Sequence, residues 1–456
     1  MGIISKREGK PMKTIITNVI VVTMDVQRNV YTEGYVKIEG TKITEVGPAG
    51  SLKDTKEELE RTGWEIRDGQ RGILMPGMIN THCHLGMVPF RGLGDDCKDR
   101  LRVFLLPMEQ KAMDRDMAAL SSRYAICELL LCGVTTVMDM YYFEESVAAV
   151  MDQTGIRGIA GQTVMDEGGC DAPDADTALG KARELIEAYK HHPRISGCAA
   201  PHATNTCSPQ SLKKAWEMDR RNHVPFTLHA AEMDYELTWL AKTFGCTPIE
   251  YLDRTGVLDS HTAAAHGIHL TDGDISLLKQ KGSGISHCIG SNAKAAKGVA
   301  PVLKLLKEGV PVGLGTDGPA SGNTLDLFTQ MRLCAGFQKN ESRDRSAMPA
   351  KDIVSMATCQ GARVLGLDKK TGSIEPGKEA DMVLVETDSL NMFPVYDPYS
   401  ALVYSAGASN VRDVYVAGTR LVWDKKLVFE DPLSIRKELA DRMKQSAFGE
   451  IEELHG

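Results

Sequence analysis

Apolar and polar positions alternate along residues 14–48, TIITNVIVVTMDVQRNVYTEGYVKIEGTKITEVGP, with turn residues at intervals. A period of two over short segments predicts antiparallel strands. The same texture returns within 380–427, in ADMVLVETDSL and VRDVYVAGTRLVWDKKLVFE. Between these ends, short apolar runs alternate with longer stretches of helical period, such as MAALSSRYAICELLLCG and ADTALGKARELIEAYKHH. The runs are GILMPGMINTHCH, VTTVMDM, GIRGIAGQTV, ISGCAAPH, VPFTLHAAE, TAAAHGIH, GISHCIG and VPVGLGTDG, eight in all. Eight strand–helix repeats predict an α/β fold, a (β/α)8 TIM barrel whose site lies at the C-terminal strand ends. An open doubly wound sheet is the alternative, but no GxGxxG turn follows the first strand. The β-rich ends are expected to pair into one small β-sandwich domain. The expected division is a polar extension at 1–13, the sandwich at 14–73 and 375–430, the barrel at 74–374 and a helical tail at 431–456.

Composition narrows the function classes. The 456 residues are 42% hydrophobic and 25% charged, as in ordinary globular proteins. A formal charge of −8 without a basic stripe argues against a nucleic-acid partner. No apolar run reaches the roughly 18–20 residues that would span a bilayer. The start, MGIISKREGKPMK, is basic and lacks the apolar core of a signal peptide. Eleven cysteines without a CxxC read as free thiols of a cytoplasmic protein, not as disulfides or a thiolate zinc site.

The candidate chemistry sits at the strand ends. In INTHCH, residues 79–84, strand alternation puts His82 and His84 on one face and turns Cys83 away. Two imidazoles so placed can converge on one cation. Strand four ends at His202, strand five at His229 with Glu232 three residues on, strand six at His266, strand seven at His287 and strand eight at Asp317. Alone, any of these histidines has an ordinary structural reading, and Asp317 could cap a helix. Their coincidence on one barrel rim points to a site.

At this point the chain resembles the amidohydrolase superfamily, from about residue 14 to about 427. Within it, the chain is most similar to the branch of methylthioadenosine and S-adenosylhomocysteine deaminases and chlorohydrolases. The matching stretches are PGMINTHCHLGMVPFRGLGDD, LPMEQ, PHATNTC, TLHAAEM, AHGIHL, SHCIGSNAK, GLGTDGPASGNTLDLFTQMRL and GSIEPGKEADMVLV. The resemblance implies that His82, His84, His229 and Asp317 bind a metal. Three neutral imidazoles and a carboxylate suit zinc, with iron or manganese also compatible. Binuclear relatives carry a carboxylated lysine at the end of strand four; this strand ends CAAPH, so one divalent ion is expected.

A divalent cation lowers the pKa of bound water from 15.7 toward about 7. The resemblance then implies that Asp317 accepts the water's proton and Glu232 passes one to a ring nitrogen of an aminated heterocycle. His266 would orient the attacking oxygen and steady the tetrahedral intermediate, and ammonia departs. Glu109 and His202 resemble substrate-binding positions, for a ribose hydroxyl pair and the nucleoside respectively, with Glu232 also touching the base. The segment LGMVPFRGLGDDCKDRLRVFLL before Glu109 could fold over the rim. His269 and His287 are expected outside the first ring of ligands, and His191, His192, His223, His261 and His455 on the surface or in packing.

The departures concern substrate. Where homocysteine-accepting relatives carry arginines, this chain has Gln162 in AGQTV and no arginine in DEGGCDAPDAD. Cys288-Ile289 replaces a usual Asn-Pro, and Asn205 in PHATNT replaces an aromatic residue. The substrate expected is an adenine nucleoside such as 5′-methylthioadenosine, 5′-deoxyadenosine or S-adenosylhomocysteine. The alternatives are guanine or a pterin, or dechlorination or deamination of a triazine. A non-catalytic barrel would have lost a ligand, and none is lost. A small-molecule substrate, no membrane and a homo-oligomer complete the expectation.

Overall fold

The computed structural model describes residues 13–452. The extension expected at 1–13 lies outside the described residues up to residue 12, as do the last four residues and His455 with them. Strands β1 (Lys13–Val22), β2 (Val30–Glu39), β3 (Lys42–Pro48), β4 (Glu65–Asp68) and β5 (Ile73–Pro76) open the chain. There follow β6 (Met78–Cys83), β7 (Val134–Tyr141), β8 (Arg157–Val164), β9 (Ile195–Pro201), β10 (Phe226–Ala230), β11 (Thr262–His266), β12 (Gly284–His287) and β13 (Val312–Leu314). The chain closes with β14 (Met382–Val385), β15 (Val411–Val416), β16 (Thr419–Trp423) and β17 (Lys426–Leu427).

Strands β6 to β9 and β10 to β13 form two parallel four-stranded sheets, each in sequence order. Parallel neighbours need crossovers, and helices such as Arg115–Leu131, Ala175–Tyr189 and Pro209–Asn222 supply them. In Ala175–Tyr189 the residues Ala175, Ala178, Leu179, Ala182, Leu185 and Ile186 are buried, an i, i+3, i+4, i+7 stripe against the strands, and Asp174 caps the first turn. With both faces covered, β6, β7, β8 and β10 are buried along their whole length. The two sheets meet at both edges. On one side His229 N donates to His202 O at 3.0 Å. On the other, Asp317 N donates to His82 O at 3.1 Å.

Both chain ends share one nine-stranded sheet, in the order β17-β16-β15-β14-β5-β1-β2-β3 with β4 beside β1. Two expectations change here. The run GILMPGMINTHCH is two strands, β5 in this sheet and β6 in the parallel one. The chain passes between them at Gly77, where a Cβ would come within 2.1 Å of Thr135 Oγ1. The terminal sheet is also mixed: β1 pairs antiparallel with β2 but parallel with β4 and β5, where only antiparallel strands were expected. The chain ends therefore form one continuous sheet, with Ile16, Val36, Leu74, Met382 and Tyr415 in one apolar cluster. No helix among the described residues is long and apolar enough to cross a membrane.

A buried ion pair joins the terminal sheet to the parallel strands. Arg157, at the N-terminal end of β8, donates from Nε and Nη2 to Asp381 at 2.7 and 3.1 Å. The side chains are 2% and 0% exposed, and Asp381 also accepts from Ala417 N. Removing Asp381 leaves the buried guanidinium with only the Pro193 carbonyl and, at 4.0 Å, the Glu379 carboxylate, and breaking a buried pair typically costs about 3–5 kcal/mol. Asp381→Ala should therefore lower the urea unfolding free energy by about that amount. Lys190→Ala, at an exposed pair with Glu187, should change it little. Equal effects would remove the clamp from this account.

Candidate functional site

The C-terminal ends of the parallel strands converge on one cluster. His82 Nε2 lies 3.1 Å from His229 Nε2, which lies 3.4 Å from His84 Nε2. Asp317 Oδ1 lies 3.1 Å from His84 Nε2. All four residues are buried. Cys83 points away from them, its sulfur facing the Thr316 hydroxyl.

Backbone carbonyls aim the rings. His84 Nδ1 is 2.5 Å from Met140 O, and His229 Nδ1 is 2.6 Å from His202 O. A carbonyl only accepts, so Nδ1 carries the proton and Nε2 keeps its lone pair. Asp317 is held at Oδ2 by the Ser291 hydroxyl at 2.6 Å and at Oδ1 by Gly318 N at 2.7 Å. Gly318 leaves the space His84 fills: a Cβ there would lie 2.7 Å from Met87 Sδ and 3.1 Å from His84 Cβ. Asp317 and His266 both have positive φ, 59° and 72°, conformations that typically cost about 1–3 kcal/mol and persist where the surroundings enforce them.

With no proton on His82 Nε2, its lone pair and that of His229 Nε2 repel across 3.1 Å unless a cation lies between them. A tetrahedral zinc with Zn–N distances of about 2.0–2.1 Å would separate its nitrogen ligands by roughly 3.3–3.4 Å. The donor set thus fits a divalent metal. A ring nitrogen of His266 lies within 4.8 Å of those of His82 and His229.

Around the cluster opens a cavity of about 360 Å³ lined by His84, Glu109, His202, His229, Glu232, His266 and Asp317, among others. Every candidate residue read from the sequence reaches this one place; His82 lies buried beneath it. His287 is buried with neither ring nitrogen hydrogen-bonded, and His269 faces Asp234. Glu109 is buried, its Oε1 accepting from the Tyr141 hydroxyl at 2.7 Å. Burial pushes its carboxyl up to about 7, against the pull of that hydrogen bond. For Glu232 burial acts upward too, but His266 and Lys297 outweigh it and hold the carboxyl well below the usual range. Part of the segment before Glu109, from Asp95 to Leu101, forms one wall.

Sequence reasoning missed three contributors. Asn292 Oδ1 lies 2.9 Å from His266 Nδ1, Ser291 holds Asp317, and Lys297 Nζ reaches Glu232 Oε1 at 2.5 Å. Ser291 and Asn292 stand inside the stretch SHCIGSNAK, so only their roles went unread. Lys297 lies three residues beyond it, where no periodicity marks it.

The amidohydrolase family pattern matches residues 73–421. A 5-methylthioadenosine/S-adenosylhomocysteine deaminase of Thermodesulfovibrio yellowstonii is 37% identical over 412 residues, 90% of this chain and 93% of that protein. A 5′-deoxyadenosine deaminase of Methanosphaera stadtmanae is 38% identical over 368 residues, 80% of this chain and 85% of that one. The crystal structure of an adenosine deaminase from Xanthomonas campestris with bound zinc superposes with a TM-score of 0.90. It is 30% identical and covers 96% of this chain and 99% of its own.

Elemental analysis of the purified protein should find about one divalent ion per chain. His229→Ala should lose most of that metal and essentially all turnover. Two tightly held ions, or a fully active variant, would dismantle the site.

Proposed function

We propose that this chain, which belongs to the amidohydrolase family, uses one zinc ion to deaminate an adenine nucleoside. Hydrolysis of the exocyclic C–N bond releases ammonia from 5′-methylthioadenosine, 5′-deoxyadenosine or S-adenosylhomocysteine. The observation that carries this reading is the meeting of His82, His84, His229 and Asp317 with Glu232 and His266 on one cavity that also holds Glu109 and His202. The names of the relatives support the nucleoside, and the zinc-bound deaminase structure supports the metal. We read the two abutting parallel sheets as a (β/α)8 barrel at 74–374, and the terminal sheet at 14–73 and 375–430 as a second domain. Eleven free thiols support a reducing compartment.

A divalent ion held by these four residues would make an acidic water available at neutral pH. Asp317, fixed by Ser291 and Gly318, takes one proton of the attacking water and passes it to the departing amine, which leaves as ammonia. Glu232, ionised at rest beside Lys297, takes the other and delivers it to the ring nitrogen next to the carbon under attack, so that electron density from the new C–O bond has somewhere to go. His266, anchored by Asn292 through Nδ1, orients the oxygen from the other side. Glu109 accepts from the ribose hydroxyls, and His202 borders the nucleoside. A triazine substrate would also fit a metal and an acid, but Glu109 beside Tyr141 gives a diol partner that a triazine does not use.

The position where homocysteine-accepting relatives carry an arginine, Gln162, does not line the cavity. Gln162 Nε2 bonds to Asp171 at 3.1 Å, and Lys181 pairs with the same carboxylate. Arg157 is locked on Asp381 at the opposite end of β8, and Arg183 lies in the helix Ala175–Tyr189. Arg100, the arginine that does line the cavity, spends its donors on the carbonyls of Phe90, Leu93 and Ala320, so none of these arginines offers a free pair of donors to an amino-acid carboxylate.

Two outcomes follow. Glu232→Gln should keep its metal and bind substrate, yet lose about 10²-fold or more in turnover; normal turnover would remove Glu232 from the chemistry. Neutral 5′-substituted adenosines should exceed S-adenosylhomocysteine in kcat/KM by roughly 10–150-fold, the worth of one missing charge-assisted contact. A preference for S-adenosylhomocysteine would contradict the pocket assignment, and activity only on a pterin or triazine would move the substrate elsewhere.

A further inference from the structure

Four cations line the cavity: Lys98, Arg100, Lys294 and Lys297. Lys98 is exposed on the rim. Arg100 donates to the carbonyls of Phe90, Leu93 and Ala320, and so holds the wall segment. Lys294 is bound to Asp95, Asn323 and the carbonyl of Ala320. Lys297 differs from these three because its partner is Glu232, the acid of the proposed reaction.

The geometry of that contact is specific. Lys297 Nζ lies 2.5 Å from Glu232 Oε1, with side chains 17% and 16% exposed. His266 Nε2 approaches the same oxygen at 3.5 Å. Glu232 Oε2 has no hydrogen-bond partner among the described residues. The lysine is brought there by a tight loop after the helix Ile289–Lys294, closed by Lys297 N donating to Asn292 O at 2.9 Å with Ala296 at φ 53°. The same seven residues, 291 to 297, place Ser291 on Asp317, Asn292 on His266 and Lys297 on Glu232. One short segment thus touches all three groups that would handle protons.

An ammonium this far from water needs its counter-charge, and the carboxylate it faces loses the freedom to rotate. We propose that Lys297 is a positioning residue for Glu232, pinning Oε1 so that Oε2 is the oxygen that exchanges a proton with the heterocycle. The inference rests on the deaminase reading above and adds to it a residue outside the motif. Pairing with an ammonium also makes the protonated carboxyl a stronger acid, which favours delivery of its proton to a weakly basic ring nitrogen. Glu232 Oε2 takes that proton from the attacking water and gives it to the nitrogen, and the carboxylate returns to its lysine.

The test is a set of variants assayed on whichever aminated heterocycle the unaltered enzyme turns over fastest. Lys297→Met should lower kcat by about 10–100-fold, with KM within about threefold and the metal content unchanged. Lys297→Arg, which keeps the charge, should recover much of that loss. In a Glu232→Gln background, Lys297→Met should change kcat by less than about twofold, because the group it positions is gone. Lys297→Gln provides the same comparison if the methionine variant does not fold. The proposal is overturned by a kcat within twofold of the parent, by a loss confined to KM, or by an equal loss in the Glu232→Gln background. Failure of the unaltered enzyme on every adenine nucleoside would instead reject the substrate reading. The Lys297 comparison would then be made on the base that is accepted.

Discussion

Imidazole lone pairs directed at one another repel, and a cation held between them turns that repulsion into binding. Most of what is particular about this chain serves to hold His82, His84 and His229 in that otherwise unfavourable arrangement. Carbonyls at the ends of β7 and β9 fix two of the rings by their Nδ1 atoms. The backbone bond from Asp317 to His82 brings the carboxylate round from the other edge of the parallel strands. Without a cation a proton can take its place: burial disfavours a charged His84, yet the neighbouring Asp317 carboxylate prevails and raises it to about 9. Metal uptake is then an exchange of ions at one position.

Everything else in the cavity divides between protons and recognition. The segment 291–297 gathers the proton-handling groups, each by one side chain. On the other side, the buried Glu109–Tyr141 pair gives an acceptor whose charge is already weakened by burial, suited to neutral hydroxyls more than to a cation. The clamp between Arg157 and Asp381 keeps the terminal sheet on the closed end of the strands. The open end is left to the loops, where chemistry can vary without disturbing the core.

Much of this was legible in the sequence because burial on both faces produces continuous apolar runs, and because a ligand on a strand end must follow such a run. His82, His84, His229, His266 and Asp317 could be placed that way, and they meet in one cluster or at its edge. What escaped has physical reasons too. Apolar runs report burial and not partners, so the division at Gly77 and the parallel pairing of β1 with β4 and β5 left no trace in the pattern. The positive φ of His266 and Asp317 carries no residue-type signature, since neither position is a glycine. Lys297 reads as one more lysine on a polar loop until tertiary structure sets it against Glu232.

The central claim is that one divalent ion sits among these four side chains. Crystals of the protein as purified, measured at the zinc absorption edge, test it directly. The account predicts a single anomalous peak per chain, about 2.0–2.1 Å from the Nε2 atoms of His82, His84 and His229 and at a similar distance from Asp317. A second peak beside the first, or a lone peak on other residues, would contradict it.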